Sequence, residues 1–343
     1  MEENPLLITE GLPRYDLIKP EHVVPAVRQV LKEAEEKLVA LEKDHEPTWE
    51  GLLQPLEDLE SPFEYCWGPV IHLLAVKNNP ELRQAHQSVL NEVVTFSLRI
   101  RQSPEIYQGL RAIRESEAWD TLSSARKRVI ELKLKSAEHA GVGLEGDARK
   151  RFIEIANELS RLQTDFSNHV LDATKAFHLD ITDVKDTEGW PKSLKQVSAQ
   201  LFKQAHPNHP TEVMPESGPW RITLDLPSFL PFMQHSRNRE QRQAVYHAQI
   251  TRASSGEWDN SPLVNRILSL KREKAALLGF DTYAEFSLDS KMAPDVAAVQ
   301  KMFDELTQAA KPFAEKEFEE VSDLARASGQ EDRKSTRLNS SHY

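Results

Sequence analysis

Apolar residues recur at helical spacing through most of this chain. From Pro20 to about Lys43 they form one stripe, which comprises Val23, Val27, Val30, Leu31, Ala34, Leu38 and Leu41. A second stripe runs between Asp147 and Asp172. A third begins at Pro294, and the residues expected to face inward there are Val296, Val299, Met302, Phe303, Leu306, Ala310 and Phe313. The stripes are broader than strict heptads, and no internal repeat is present, so we predict an antiparallel helical bundle rather than a coiled coil or an α-solenoid.

A capping side chain before a proline marks the start of a helix at three places. These are Asn79-Pro80, Ser103-Pro104 and Ser261-Pro262. Another helix is predicted from Arg126 to Ala140, and it leads into the segment Gly141-Val142-Gly143-Leu144-Glu145-Gly146. This glycine pattern superficially matches a dinucleotide-binding loop, but it follows a helix rather than a strand. We therefore interpret it as a turn between two helices.

Two short segments depart from the helical pattern. Residues 176–182 and 220–226 alternate apolar and polar positions, which predicts a small antiparallel β-ribbon inserted between helices. A short helix is expected between them, near Leu194–Ala205. The predicted fold class is therefore mainly α with one β-ribbon.

We expect four regions along the chain. They are a helical bundle over residues 1–175, a ribbon and linker over 176–227, a helical segment over 228–332 and a tail over 333–343. The segment Lys334–Tyr343 has no amphipathic stripe, and its Ser, Thr and Asn content is typical of a disordered end. It also resembles a translated sequencing adapter, so the natural sequence is expected to differ beyond about Asp332.

Composition narrows the classes of partner. The formal net charge of −11 argues against nucleic acid, because phosphate binding needs clustered Lys and Arg. No apolar run approaches the roughly 18–20 residues that span a bilayer, and the acidic start lacks the pattern of a signal peptide, so we expect a cytoplasmic protein. The single cysteine, Cys66, lies between aromatic residues and is predicted to be a buried structural thiol.

No histidine pattern suits a catalytic metal. A zinc peptidase helix carries His-Glu-x-x-His, because residues four apart lie on one helix face, and this motif is absent from the chain. His45-Glu46 is followed by a proline, and His206 and His209 lie in a proline-rich loop. The histidines interpreted as isolated surface or core residues are His22, His72, His86, His139, His169, His178, His235 and His247. We therefore assign no catalytic, cofactor-binding or metal-binding residue.

Several local motifs together resemble the oligopeptidase A/thimet oligopeptidase family of M3 zinc peptidases. The segments that carry the resemblance are Asn4–Leu7, Ile18–Val27, Val76–Arg83, Phe166–Thr174, Leu224–Met233, Tyr246–Ser254, Trp258–Ser261 and Leu277–Ala293. The resemblance implies a two-lobed helical peptidase that cleaves short peptides in a deep channel with a zinc-bound water. This chain would supply most of the distal lobe, whose helices wall the channel and restrict substrate size, and the start of the catalytic lobe. The zinc ligands and the general base would lie in a catalytic lobe beyond Tyr343, and that lobe would be its partner.

Two alternatives stay open at this stage. The chain could be a stand-alone helical module that binds peptides without catalysis, or an unrelated helical scaffold, which the density of matched motifs disfavours. If the chain is an N-terminal fragment, the helix after Pro294 should expose apolar side chains that a catalytic lobe would cover. These are Met302, Phe303, Leu306, Phe313 and Phe318.

Overall fold

The computed structural model describes residues 4–329, and the chain divides into two compact units, Met1–Lys274 and Ala275–Tyr343. The described residues are mainly helical with one two-stranded antiparallel sheet, which confirms the predicted fold class. No helix in this range is long and apolar enough to cross a membrane. The predicted tail over residues 333–343 lies outside the described residues. The four regions proposed from the sequence stay a prediction.

The first unit begins with five helices. Their bounds are α1 Pro20–Lys43, α2 Gln54–Val76, α3 Pro80–Arg101, α4 Pro104–Glu115 and α5 Ser124–His139. Proline occupies the first turn of α1, α3 and α4, where its missing N–H costs no hydrogen bond. Short helical turns over Pro5–Leu7, Trp49–Leu53 and Glu117–Thr121 precede α1, α2 and α5.

The apolar stripe of α1 forms the centre of the first core. All seven of its predicted apolar positions are buried, and α1 lies against both α2 and α3. The core continues through α4 and into α5, where Ile130 is fully buried. Burial of this stripe removes several large aliphatic side chains from water, and each contributes about 1.5–3 kcal/mol. The bundle is therefore organised around the helix that the sequence marks most clearly.

A glycine turn leads from α5 into the long helix α6, Gly146–Ala176. Gly141 and Gly146 have φ values of +78° and +54°, which glycine adopts without steric cost. The interpretation of this segment as a turn between helices is thus confirmed. Helix α6 is joined to α10, Ser261–Leu277, by two ion pairs: Arg151 with Glu273 at 2.6 Å and Arg266 with Glu158 at 2.6 Å.

The predicted ribbon is present and has its own core. Strand β1, His178–Ile181, pairs antiparallel with β2, Trp220–Thr223. The predicted short helix between them is α7, Lys192–Ala205, and the helices that follow β2 are α8, Leu226–His235, and α9, Arg239–Ile250. Trp220 and Phe232 are fully buried there, and the Trp190 ring meets the Phe232 ring edge-on at 5.5 Å. This second core packs around aromatic rings, whereas the first is mostly aliphatic.

Two of the three predicted helix caps are confirmed. The Asn79 side chain accepts a hydrogen bond from the Leu82 N–H at 2.8 Å, and Ser103 accepts one from the Ile106 N–H at 3.3 Å. The prediction for Ser261 is wrong, because Ser261 is the first residue of α10 and its own N–H donates to Asp259 at 2.9 Å. The buried Asn260 precedes the helix, and its side chain bonds to α6 instead.

The second unit contains the short helix α11, Tyr283–Asp289, and the long helix α12, Val296–Ala327. Asp295 caps α12 by accepting from the Ala298 N–H at 2.7 Å. The prediction that the apolar stripe of α12 faces inward is wrong in this structure: Leu306 is 60% exposed and Phe313 is 72% exposed. Helix α11 packs on α12 but has only seven residues, too few to cover a 32-residue helix. Met302, Phe303, Leu306 and Phe313 are exposed, whereas Phe318 is half-buried.

Candidate functional site

A polar junction joins α3, α6 and the loop that follows α9. Its first link is the Arg83 guanidinium on α3, whose two terminal nitrogens each donate to an oxygen of Asp172 on α6 at 2.5 Å. The side-chain oxygen of Asn78 accepts from the remaining Arg83 nitrogen. This hydrogen-bonded guanidinium holds the pKa of Asp172 below its ordinary value. Asp172 is therefore a carboxylate at neutral pH, and its bidentate pairing fixes the position of both side chains.

The second link attaches the loop to α6. The buried Asn260 donates from its amide nitrogen to the Phe166 carbonyl at 3.1 Å, so its oxygen is the acceptor that faces His169 Nδ1 at 2.9 Å. His169 consequently donates from Nδ1. Farther along α6, the Thr174 hydroxyl accepts from Arg252 at 3.0 Å. These contacts hold the loop on α6 from both of its ends.

An open groove of about 480 Å³ lies at this junction. Three carboxylates line it, Asp165, Asp172 and Glu257, against the single guanidinium of Arg83. Trp258 and Pro80 supply apolar parts of the wall, and its other polar lining residues are Gln84, Gln87, Asn168 and His169. The groove is thus concave, net negative and partly aromatic, and these properties suit a ligand that carries positive charge.

The histidines rejected as metal ligands on their sequence context make other contacts in the structure. Among residues 4–329, no group of three His, Cys, Asp or Glu side chains is placed to hold a metal ion. His45 Nδ1 hydrogen-bonds to the Leu41 carbonyl at 2.8 Å. His206 stacks on the Phe202 ring at 4.2 Å, and His209 meets the same ring edge-on at 5.3 Å. The residues that the structure describes therefore do not fit a catalytic zinc ion.

Two core residues that could have carried chemistry serve packing instead. The Cys66 thiol is buried in α2, and burial raises its pKa to about 12, so it is not a nucleophile near neutral pH. His86 on α3 is buried and stacks on Trp67 at 4.8 Å. Burial lowers the pKa of His86 to about 4, so this ring is neutral at pH 7. The predicted structural role of Cys66 is confirmed.

Sequence reasoning did not identify the groove as a site. It marked the segments Val76–Arg83, Phe166–Thr174 and Trp258–Ser261 as family-like, and the structure brings these segments together. The ion pair between Arg83 and Asp172 joins residues 89 positions apart, so no local spacing reports it. Arg83 lies in the first turn of α3, three residues after Pro80, and nothing in its local sequence sets it apart from a surface arginine.

Two family models match this chain in separate ranges. The N-terminal domain of neurolysin/thimet oligopeptidase matches residues 27–149, and peptidase family M3 matches residues 232–339. Arg83, Gln84 and Gln87 fall inside the first range, and Glu257 and Trp258 fall inside the second. The groove therefore combines residues from both matched ranges.

Curated proteins align along almost the whole chain. A probable cytosolic oligopeptidase A from Arabidopsis thaliana is 43% identical over 331 residues, which cover 96% of this chain and 46% of that protein. An organellar oligopeptidase A from the same plant is 42% identical, over 96% of this chain and 41% of its own length. Oligopeptidase A from Escherichia coli is 37% identical over 331 residues, which cover 94% of this chain and 47% of that protein. The chain thus spans less than half the length of each of these relatives.

Proposed function

Because the chain belongs to the M3 peptidase family, in its oligopeptidase A branch, we propose that it takes part in the hydrolysis of short peptides. The observation that carries this proposal is the continuity of the similarity: the Arabidopsis relative aligns with 96% of the chain at 43% identity. An alignment that covers nearly the whole chain at this identity supports a shared fold for residues 4–329. A cytoplasmic location belongs to the same proposal, supported by the relative named as cytosolic.

The role proposed for these residues is steric rather than chemical. Helices α1–α5 form a packed bundle with a continuous apolar core, and such a bundle deforms little. A rigid helical wall beside a catalytic centre would admit short, unstructured peptides and exclude folded proteins. We place no chemical step on residues 4–329, because they do not fit the zinc ion that the family implies.

Two measurements test this proposal. The purified 343-residue chain should bind no stoichiometric zinc and should not hydrolyse a fluorogenic peptide. A chimera in which residues 4–329 replace the matched segment of the E. coli oligopeptidase A should hydrolyse the same peptide. One tightly bound zinc per chain, or metal-dependent turnover by the chain alone, would overturn the steric role. A correctly folded but inactive chimera that still binds peptides would favour the stand-alone binding module.

A further inference from the structure

The groove between α3, α6 and Trp258 contains charge that the protein does not neutralise. Asp172 is paired with Arg83, but neither Asp165 nor Glu257 has an ion-pair or hydrogen-bond partner within the described part of the chain. Both carboxylates line the same concave surface as the Trp258 ring. A positively charged group in the groove would therefore meet two free carboxylates without displacing an existing pair.

Within the described residues, Trp258 has no cation over its ring face, whereas two other tryptophans of this unit do. Arg126 lies 4.6 Å from the ring centroid of Trp49, and Lys127 lies 5.7 Å from that of Trp119. Among residues 4–329, no Lys or Arg lies over Trp258, although it is only half-buried. An indole face is the best aromatic partner for an ammonium or guanidinium group. This position is open for a cation that comes from outside the chain.

The groove is held in place before any ligand binds. Arg83 fixes Asp172 through two hydrogen bonds, and the buried Asn260 fixes the loop that carries Glu257 and Trp258 to α6. Preorganised walls reduce the conformational entropy that binding must overcome. The side-chain amides of Gln84, Gln87 and Asn168 make no hydrogen bond within the described residues, so they are available to a peptide backbone.

We infer that this groove holds a lysine or arginine side chain of a short peptide. In this arrangement the cation lies against Trp258 between Asp165 and Glu257, and the amides contact the adjacent peptide backbone. The volume of about 480 Å³ is within the range of small-ligand sites and admits one long side chain with its neighbouring backbone. The inference rests on the proposed function for the choice of a peptide as the ligand, and it adds a preference for basic peptides.

The test uses the full 343-residue chain and labelled peptides that differ at one position, with Lys, Arg, Gln or Glu there. Fluorescence anisotropy at low ionic strength should show the Lys and Arg peptides binding about tenfold more tightly than the Gln peptide, and the Glu peptide most weakly. Added salt should reduce the difference. Equal affinity for the Lys and Gln peptides would overturn the inference.

Variants distinguish the groove from the general negative charge of the protein. The double variant Asp165→Asn, Glu257→Gln and the single variant Trp258→Leu should each lose most of the preference for Lys. The matched control is the double variant Glu212→Gln, Glu216→Gln, because both residues are exposed and outside the groove and this variant also loses two charges. Equal weakening by this control would assign the preference to net charge and refute the site. Unchanged melting temperatures would show that the variants fold.

Failure here is separable from failure of the proposed function. Binding is measured without hydrolysis, whereas the chimera is assayed with a peptide that contains no basic residue. If the chimera hydrolyses the peptide but the binding assay shows no preference for Lys, the inference about the groove is refuted and the proposed function stands. A Lys preference that depends on Asp165, Glu257 and Trp258, with an inactive chimera, would support the groove as a binding site alone.

Discussion

The buried histidine of α3 should make stability fall with acidity in a defined range. His86 is 2% exposed, stacks on Trp67 with the ring planes 12° apart, and has no hydrogen-bond partner on either ring nitrogen within the described residues. Burial lowers its pKa from the ordinary value of 6.5 to about 4. Between pH 6.5 and about pH 4, His86 therefore binds a proton in the unfolded chain but not in the folded protein. Stability from the neutral ring is fully present above pH 6.5 and is lost as the pH falls towards 4.

The size of this effect follows from the two pKa values of His86. Their separation, from 6.5 to about 4, corresponds to about 3 kcal/mol at about 1.4 kcal/mol per pH unit. At pH 5 the free energy of unfolding should already be about 2 kcal/mol lower than it is above pH 6.5 because of this histidine. Such a loss is a large part of the 5–15 kcal/mol that typically stabilises a domain.

Replacement of the ring isolates this contribution. His86→Phe keeps an aromatic ring against Trp67 and removes both unpartnered nitrogens, so the variant should be more stable than the parent chain. Its advantage in urea unfolding, followed by circular dichroism, should grow by about 2 kcal/mol between pH 7 and pH 5. The matched control is His235→Phe at an exposed position, where no such growth is expected. An advantage of His86→Phe that does not change with pH would refute the reasoning.

Three further outcomes follow from other parts of the structure. A double-mutant cycle of Arg83→Met and Asp172→Leu, measured by urea unfolding, should give a coupling energy of about 1–2 kcal/mol, because the ion pair is bidentate and partly buried. Additive effects of the two substitutions would contradict the pairing. The chain should self-associate through the exposed apolar face of α12, and Phe313→Glu should shift light scattering towards the monomer. The control Gln300→Glu, at an exposed polar position of the same helix, should not. A monomeric parent chain would contradict this expectation. The single Cys66 should react with a thiol reagent at pH 8 only after unfolding, since burial raises its pKa to about 12; rapid reaction of the folded chain would show that the thiol is accessible.

The sequence predicted the local features of this fold well, because those features depend on neighbouring residues. The stripe of α1, the caps at Asn79 and Ser103, the turn at Gly141 and the ribbon strands all depend on side chains within a few positions. The error at Ser261 has a tertiary cause, since Asn260 bonds to α6, which lies about 90 residues earlier in the chain. Local capping rules cannot include such a contact.

The candidate groove and the exposed face of α12 depend on contacts between distant elements, which the local sequence does not predict. Arg83 and Asp172 are 89 residues apart, and their pairing depends on how α3 packs against α6. The spacing of apolar residues in α12 predicts an inward-facing stripe, yet that face is exposed, because a helical stripe shows only which face requires a partner. Neither a pairing across elements nor the presence of a partner is encoded in the spacing of residues.

Substrate size selection by the chimera tests the central claim most directly. The chimera carries residues 4–329 in the E. coli oligopeptidase A, and it is given one cleavable sequence either as a short peptide or within a stably folded protein. We predict that kcat/KM for the short peptide stays near that of the unmodified enzyme and that the folded protein is not cleaved. Cleavage of both substrates at similar rates, or of neither by a folded and zinc-loaded chimera, would contradict the proposed role of this chain as the wall that restricts substrate size.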